Sequence, residues 1–159
     1  MSRPMRRTDR ALSEPEAWEL LARADHGVLS TVDAAGQPYG VPVNHVVVGR
    51  ALYVHCALDG HKLDNVEANP RVSYCVITQA QVEPAAFSTA YESAIAFGSA
   101  RIVEDEAERL AALRALNVRF APGLEVEGEA MIERHFGVTA VLRIDLEHLT
   151  AKARRSGGD

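Results

Sequence analysis

The stretch 41–65 constrains the chain most: Val41-Pro-Val-Asn-His-Val-Val-Val-Gly-Arg-Ala-Leu-Tyr-Val-His-Cys-Ala-Leu-Asp-Gly-His-Lys-Leu-Asp-Asn65. Two apolar, β-branched segments alternate with period two and meet at Gly49-Arg50, which predicts paired antiparallel strands. Pro42 has no N–H to give to a ladder, so it predicts an edge or a break. Gly60-His-Lys62 then opens a short helical pattern. Asn44, His45, His55, Cys56 and Lys62 are scattered through this otherwise apolar run. Polar groups near a core must be paired or must face a ligand, so function is expected here.

The rest of the chain supplies a frame for that run. A helix is expected from Ser13, which can cap it, with Glu16 closing the box, Leu12 stapling against Ala17 and Pro15 in the first turn. Its stripe is Ala17, Leu20, Leu21 and Ala24, and Gly27 ends it. Strands are expected over 27–32, over 37–48 with a bend at Pro42, and over 51–57. A helix follows over 61–68, stopped by Asn69-Pro70. The strand 71–78 is apolar on both faces, which predicts a place between a barrel interior and another element. Residues 79–90 read as a loop, and 91–103 as a strand with a bend or bulge at Gly98. A helix over 104–120, a weakly patterned 124–128, a short helix over 129–136 and a last strand over 138–146 complete the order. Strands joined by turns, with helices inserted rather than alternating, exclude a doubly wound sheet and predict a closed or partly closed antiparallel barrel. Residues 1–12 are an N-terminal arm, 13–150 a single domain and 151–159 a flexible tail in this reading.

A formal net charge of -5 argues against a general nucleic-acid binder, although Arg3, Arg6, Arg7 and Arg10 make one end basic. No segment is apolar enough to anchor the chain, so a cytoplasmic protein without a membrane partner is expected. Cys56 and Cys75 lack ligand spacing and read as buried reduced thiols.

A tight turn before a helix presents free N–H groups and the positive end of the dipole. His61, Lys62 and Asn65 add donors and charge there, so together they form a candidate phosphate cradle; a lysine at a helix start is as often simply solvent-facing. Neither a P-loop nor a dinucleotide fingerprint is present. His55 and Cys56 point to opposite faces of a strand and cannot share a metal, and His45 with His55 makes two ligands where a zinc centre wants more. Ser30, Ser73, Ser93 and Ser99 lack a nucleophile-elbow pattern. What remains is a pocket beside a bent strand with a phosphate cradle, which suits a bound redox cofactor.

The chain resembles the pyridoxamine 5'-phosphate oxidase-like flavin-binding split-barrel superfamily, in the branch of the 5-nitroimidazole resistance proteins. The resemblance rests on Gly27-Val-Leu-Ser-Thr-Val32, Pro38-Tyr-Gly-Val-Pro-Val-Asn44, Leu52-Tyr-Val-His-Cys-Ala57, Gly60-His-Lys-Leu-Asp-Asn65, Asn69-Pro-Arg-Val72 and Phe97-Gly-Ser-Ala-Arg-Ile-Val103, in order along the chain. It implies an FMN-binding split barrel and a homodimer with its cofactor sites at the interface. By that likeness Pro42, Val43, Asn44 and His45 line the isoalloxazine edge, largely through backbone groups. His55, Cys56 and Ala57 flank the ring and ribityl chain, and His61, Lys62 and Asn65 take the phosphate. The strand around Phe97 and Gly98 of a second subunit completes the pocket. The implied activity is FMN-dependent reduction of a small electron-poor organic molecule such as a nitroimidazole, with no protein acid or base assigned. Alternatives are a flavin- or haem-binding protein without turnover, and a relative that takes the deazaflavin F420. Oxidation of pyridoxamine phosphate itself is less expected, because Arg143, Lys152, Arg154 and Arg155 do not match that enzyme's substrate-binding set.

Overall fold

The computed structural model describes residues 4–155. Arg3 of the basic end and the outermost residues of the expected arm and tail lie outside them. The expected cap is present: the Ser13 N–H donates to Glu16 at 2.8 Å, and the Glu16 N–H donates to the Ser13 hydroxyl at 3.5 Å, opening α1 (Glu14–Arg23). The chain continues as β1 (His26–Val32), β2 (Pro38–Asn44), β3 (Val46–Val48), β4 (Ala51–Ala57), α2 (His61–Ala68), β5 (Arg71–Glu83) and β6 (Ser88–Ile102). It ends with α3 (Glu106–Phe120), α4 (Glu125–His135) and β7 (Thr139–Arg154). No helix among the described residues is long and apolar enough to cross a membrane.

The strands form one antiparallel sheet in the order β2-β1-β5-β6-β7-β4-β3. Its two edges, β2 and β3, are adjacent in sequence and separated only by His45. The sheet therefore curls until its edges approach each other, giving a split barrel. Pro42 lies on the edge strand β2, opposite Val28, where its missing N–H interrupts no interior ladder.

Two cores occupy opposite faces. Inside the curl, α1 (Leu20, Leu21) and α2 (Leu63, Val66) pack on Leu29, Leu52, Val54, Tyr74 and Leu142. Outside it, α3 and α4 lay Leu113, Leu116 and Ile132 over Val46, Tyr53 and Val141. Asp105 caps α3 by accepting the Glu108 N–H at 2.7 Å, and Glu108 in turn accepts hydrogen bonds from Tyr53, Arg101 and Arg143.

Several boundaries differ from the sequence reading. The strand expected over 37–48 breaks at His45 rather than bending at Pro42, because there the chain leaves one edge for the other. Residues 79–90, expected as a loop, extend β5 and β6 into a hairpin whose tip is a single turn at Pro84–Ala86. Their side chains are mostly exposed, so ladder hydrogen bonds hold this arm without an apolar alternation to announce it. The last strand likewise runs past Leu146 to Arg154, paired along β6, and Arg154 forms an ion pair with Glu83. The α4 helix starts at Glu125, ahead of the expected 129. It is β4 that is covered on both faces; the outer side of β5 has no cover among the described residues, and Ile77 is 62% exposed.

Candidate functional site

The residue that joins the edges is locked. His45 is wholly buried, and its Nε2 lies 2.7 Å from the Leu21 carbonyl, which can only accept, so Nε2 carries the hydrogen. The Tyr74 hydroxyl donates its one hydrogen toward the Val43 carbonyl at 3.0 Å and lies 2.9 Å from Nδ1, so the two acceptors share it. Burial pushes the imidazole pKa below its usual value, against the pull of the Leu21 hydrogen bond. His45 thus faces α1 and β5, and holds the corner from within.

Either side of that corner the chain meets different surroundings. Val43 packs against the inner core, while Pro42 and Asn44 are exposed on the β2 edge. The Asn44 amide donates to the Asp25 carbonyl at 2.8 Å. On β4 the faces alternate as expected: Cys56 packs toward the inner core, and His55 faces a cleft under α3 and α4. Both cysteines are free and half-buried, and burial raises the pKa of each thiol, with the Lys62 charge opposing it at Cys56. Ala57 is exposed at the strand end.

The turn into α2 has the form the sequence predicts. Gly60 adopts φ 144, a backbone region that L side chains avoid. The first helical donors are the Leu63 and Asp64 N–H groups, both to the Gly60 carbonyl, so the His61 and Lys62 N–H groups stand ahead of the ladder. Lys62 is half-buried and has no ion-pair partner among the described residues. His61 is exposed, with its ring centroid 4.3 Å from that of Tyr39. Asn65 is only 2% exposed and donates to the Thr31 hydroxyl at 2.9 Å. It ties α2 to β1 from behind the turn.

The ten sequence-singled residues therefore fall into four groups. His61, Lys62, Cys56 and Ala57 lie around the α2 turn; Asn44 and His55 face the cleft; His45 and Asn65 are interior, with Pro42 and Val43 on the edge between. The cleft, with a volume of ≈ 340 Å³, has an apolar wall of Leu113, Leu116, Phe120, Met131 and Ile132. Asn117, His135 and Thr139 complete its polar side. Neither these leucines nor His135 stood out in the sequence as site residues. The clue was the four-residue spacing of Leu116 with Phe120 and Met131 with His135, which puts each pair on one helical face.

A family model described as pyridoxamine 5'-phosphate oxidase matches residues 13–153. Solved structures share the fold. One, a candidate 5-nitroimidazole antibiotic resistance protein from Bacteroides thetaiotaomicron, is 19% identical with TM-score 0.72, over 89% of this chain and 85% of that one. An FAD-binding protein from Mycobacterium smegmatis is 27% identical with TM-score 0.63, over 92% and 98%. An FAD- and haem-binding protein from the same organism is 22% identical with TM-score 0.79, over 92% and 74%. No functionally curated protein matches the chain in sequence.

Proposed function

The chain belongs to the pyridoxamine 5'-phosphate oxidase family, and on that footing we propose that it binds a flavin, FMN, and acts as an oxidoreductase on a small electron-poor organic molecule. One observation carries the flavin reading: a half-buried lysine without an ion-pair partner among the described residues stands beside free helix N-terminal amides, a donor set that fits a phosphate. Lys62 and the His61 and Lys62 amides would hold the phosphate. The edge strand at Pro42, Val43 and Asn44, with His55, Cys56 and Ala57, would flank the ring. His45 and Asn65 act as positioning residues, one fixing the corner and the other the helix. Bound there, the flavin supplies hydride or electron transfer.

The proposal includes a homodimer. Its support is a row of apolar side chains on the uncovered outer face, where Val28 pairs with Cys75 and Cys75 with Ile95, flanked by Ile77 and Phe97. The free cysteines suit the reducing cytoplasm as its place of work.

The test is an absorption spectrum of purified protein with the released cofactor identified by mass, repeated on Lys62→Ala. A charge-assisted hydrogen bond contributes about 1.5–3 kcal/mol, so FMN affinity should fall about tenfold or more. Wild-type affinity in that variant would remove the phosphate assignment. A haem spectrum in the native protein would replace flavin as the cofactor.

A further inference from the structure

The cleft under α3 and α4 has a chemical bias that the flavin reading does not require. Its Thr139 hydroxyl donates to the His135 carbonyl at 2.9 Å. The His135 Nδ1 lies 3.0 Å from the Met131 carbonyl and must carry the hydrogen of that contact, so Nε2 of the neutral ring keeps a lone pair. The Asn44 amide gives one of its two hydrogens to the Asp25 carbonyl, which leaves Oδ1 and the second hydrogen. Three of the cleft's five polar side chains thus each commit a hydrogen to a backbone carbonyl and retain acceptor capacity, and Asn117 and His55 add both donors and acceptors. Among the described residues no lysine, arginine, aspartate or glutamate lines the cleft, and one wall is apolar. Its ≈ 340 Å³ falls within the range of small-molecule sites, about 300–1,000 Å³.

We propose that this cleft binds a neutral, largely apolar, ring-sized molecule that donates hydrogen bonds through N–H or O–H groups. Such a ligand pairs with acceptors that would otherwise keep only water, and it brings no charge into a site without a counter-charge. Asn44 and His55 belong both to the cleft and to the proposed flavin edge, so the ligand is also assigned as the flavin's reaction partner. That second assignment rests on the flavin reading; the binding site itself does not.

The test uses 2-naphthol and 2-methoxynaphthalene, two fluorescent rings that differ in one O–H donor. Each is titrated at neutral pH into the full-length protein, with the visible spectrum recorded on the same samples. Saturable binding of 2-naphthol, about tenfold tighter than the methyl ether, is expected from one net hydrogen bond. His135→Phe should erase that preference, and Met131→Trp, at a residue 52% exposed, should fill the cleft and abolish binding of both probes. Thermal melts establish that each variant is folded; Thr139→Val serves in place of His135→Phe if the latter does not fold. Equal affinity for the two probes, no saturable binding, or unchanged binding in Met131→Trp overturns the proposal. So does joint loss of flavin and probe in folded Met131→Trp, which would make the cleft the flavin's own seat. A protein that takes up no flavin yet binds 2-naphthol with the stated preference keeps the cleft assignment and loses the flavin reading.

Discussion

At the scale of single residues, His45 shows how a side chain can serve a site without touching a ligand. Its hydrogen bonds to Leu21 and Tyr74 tie the joint of the sheet to α1 and β5. Removing the Tyr74 hydroxyl takes away the one hydrogen that the Val43 carbonyl and the buried imidazole nitrogen both face, a cost of about 1–3 kcal/mol, so Tyr74→Phe should lower the urea midpoint accordingly. Burial also makes His45 a determinant of acid stability. Its folded pKa lies below 6.5, the value of a free imidazole. As pH falls below 6.5 an unfolded chain takes up a proton that the folded chain refuses until lower pH. Stability should be full above that point and decline below it, and the decline measured between pH 7.5 and 5.5 should shrink in His45→Gln. The sequence marked His45 as a polar residue in an apolar run. Its inward orientation was not legible, because it depends on partners 24 and 29 positions away.

At the scale of elements, what could be read was whatever carries a local physical signal. The Ser13–Glu16 cap, the strand at 51–57 and the helix at 61–68 all follow from periodicity and turn chemistry within a few residues. The outer arm of the β5–β6 hairpin does not. Its Gln79, Ala80, Gln81 and Val82 are all exposed, so no face needed to be apolar, and only pairing with β6 fixes their conformation. Gly98 lies between these extremes. The register shifts between Phe97 and Gly98, and a Cβ built on Gly98 would sit 2.0 Å from the Asp145 carbonyl oxygen. Gly98→Ala must push two backbones apart within the central ladder. A loss of about 1–3 kcal/mol, as for overpacking generally, is the expected shift in a chemical denaturation curve.

At the scale of the whole molecule, the sheet has a covered half and a bare half. The α3–α4 layer protects β4, and the outer faces of β1, β5 and β6 carry apolar side chains with none of the described residues over them. If a second copy is the cover, a charge placed there should dissociate it. Ile77→Glu should sediment as a monomer where the wild-type protein sediments as a dimer, and should lose flavin affinity along with the partner. A wild-type protein already monomeric at micromolar concentration would remove the dimer from the proposal. The candidate site was legible where it depends on one turn, at Gly60-His61-Lys62. It was hidden where it depends on packing between distant segments, as in the cleft that joins Asn44 and His55 to α3 and α4.

The joint between β2 and β3 also decides where this protein can change length. One residue spans the seam between the sheet's two edges, so an insertion there adds slack to a strap that must stay taut, and the edges drift apart. The hairpin tip at Pro84–Ala86 lies at the other extreme, beside Phe87 at 98% exposure. A peptide grafted at that tip lengthens an arm; the same peptide grafted at position 45 unfastens the barrel.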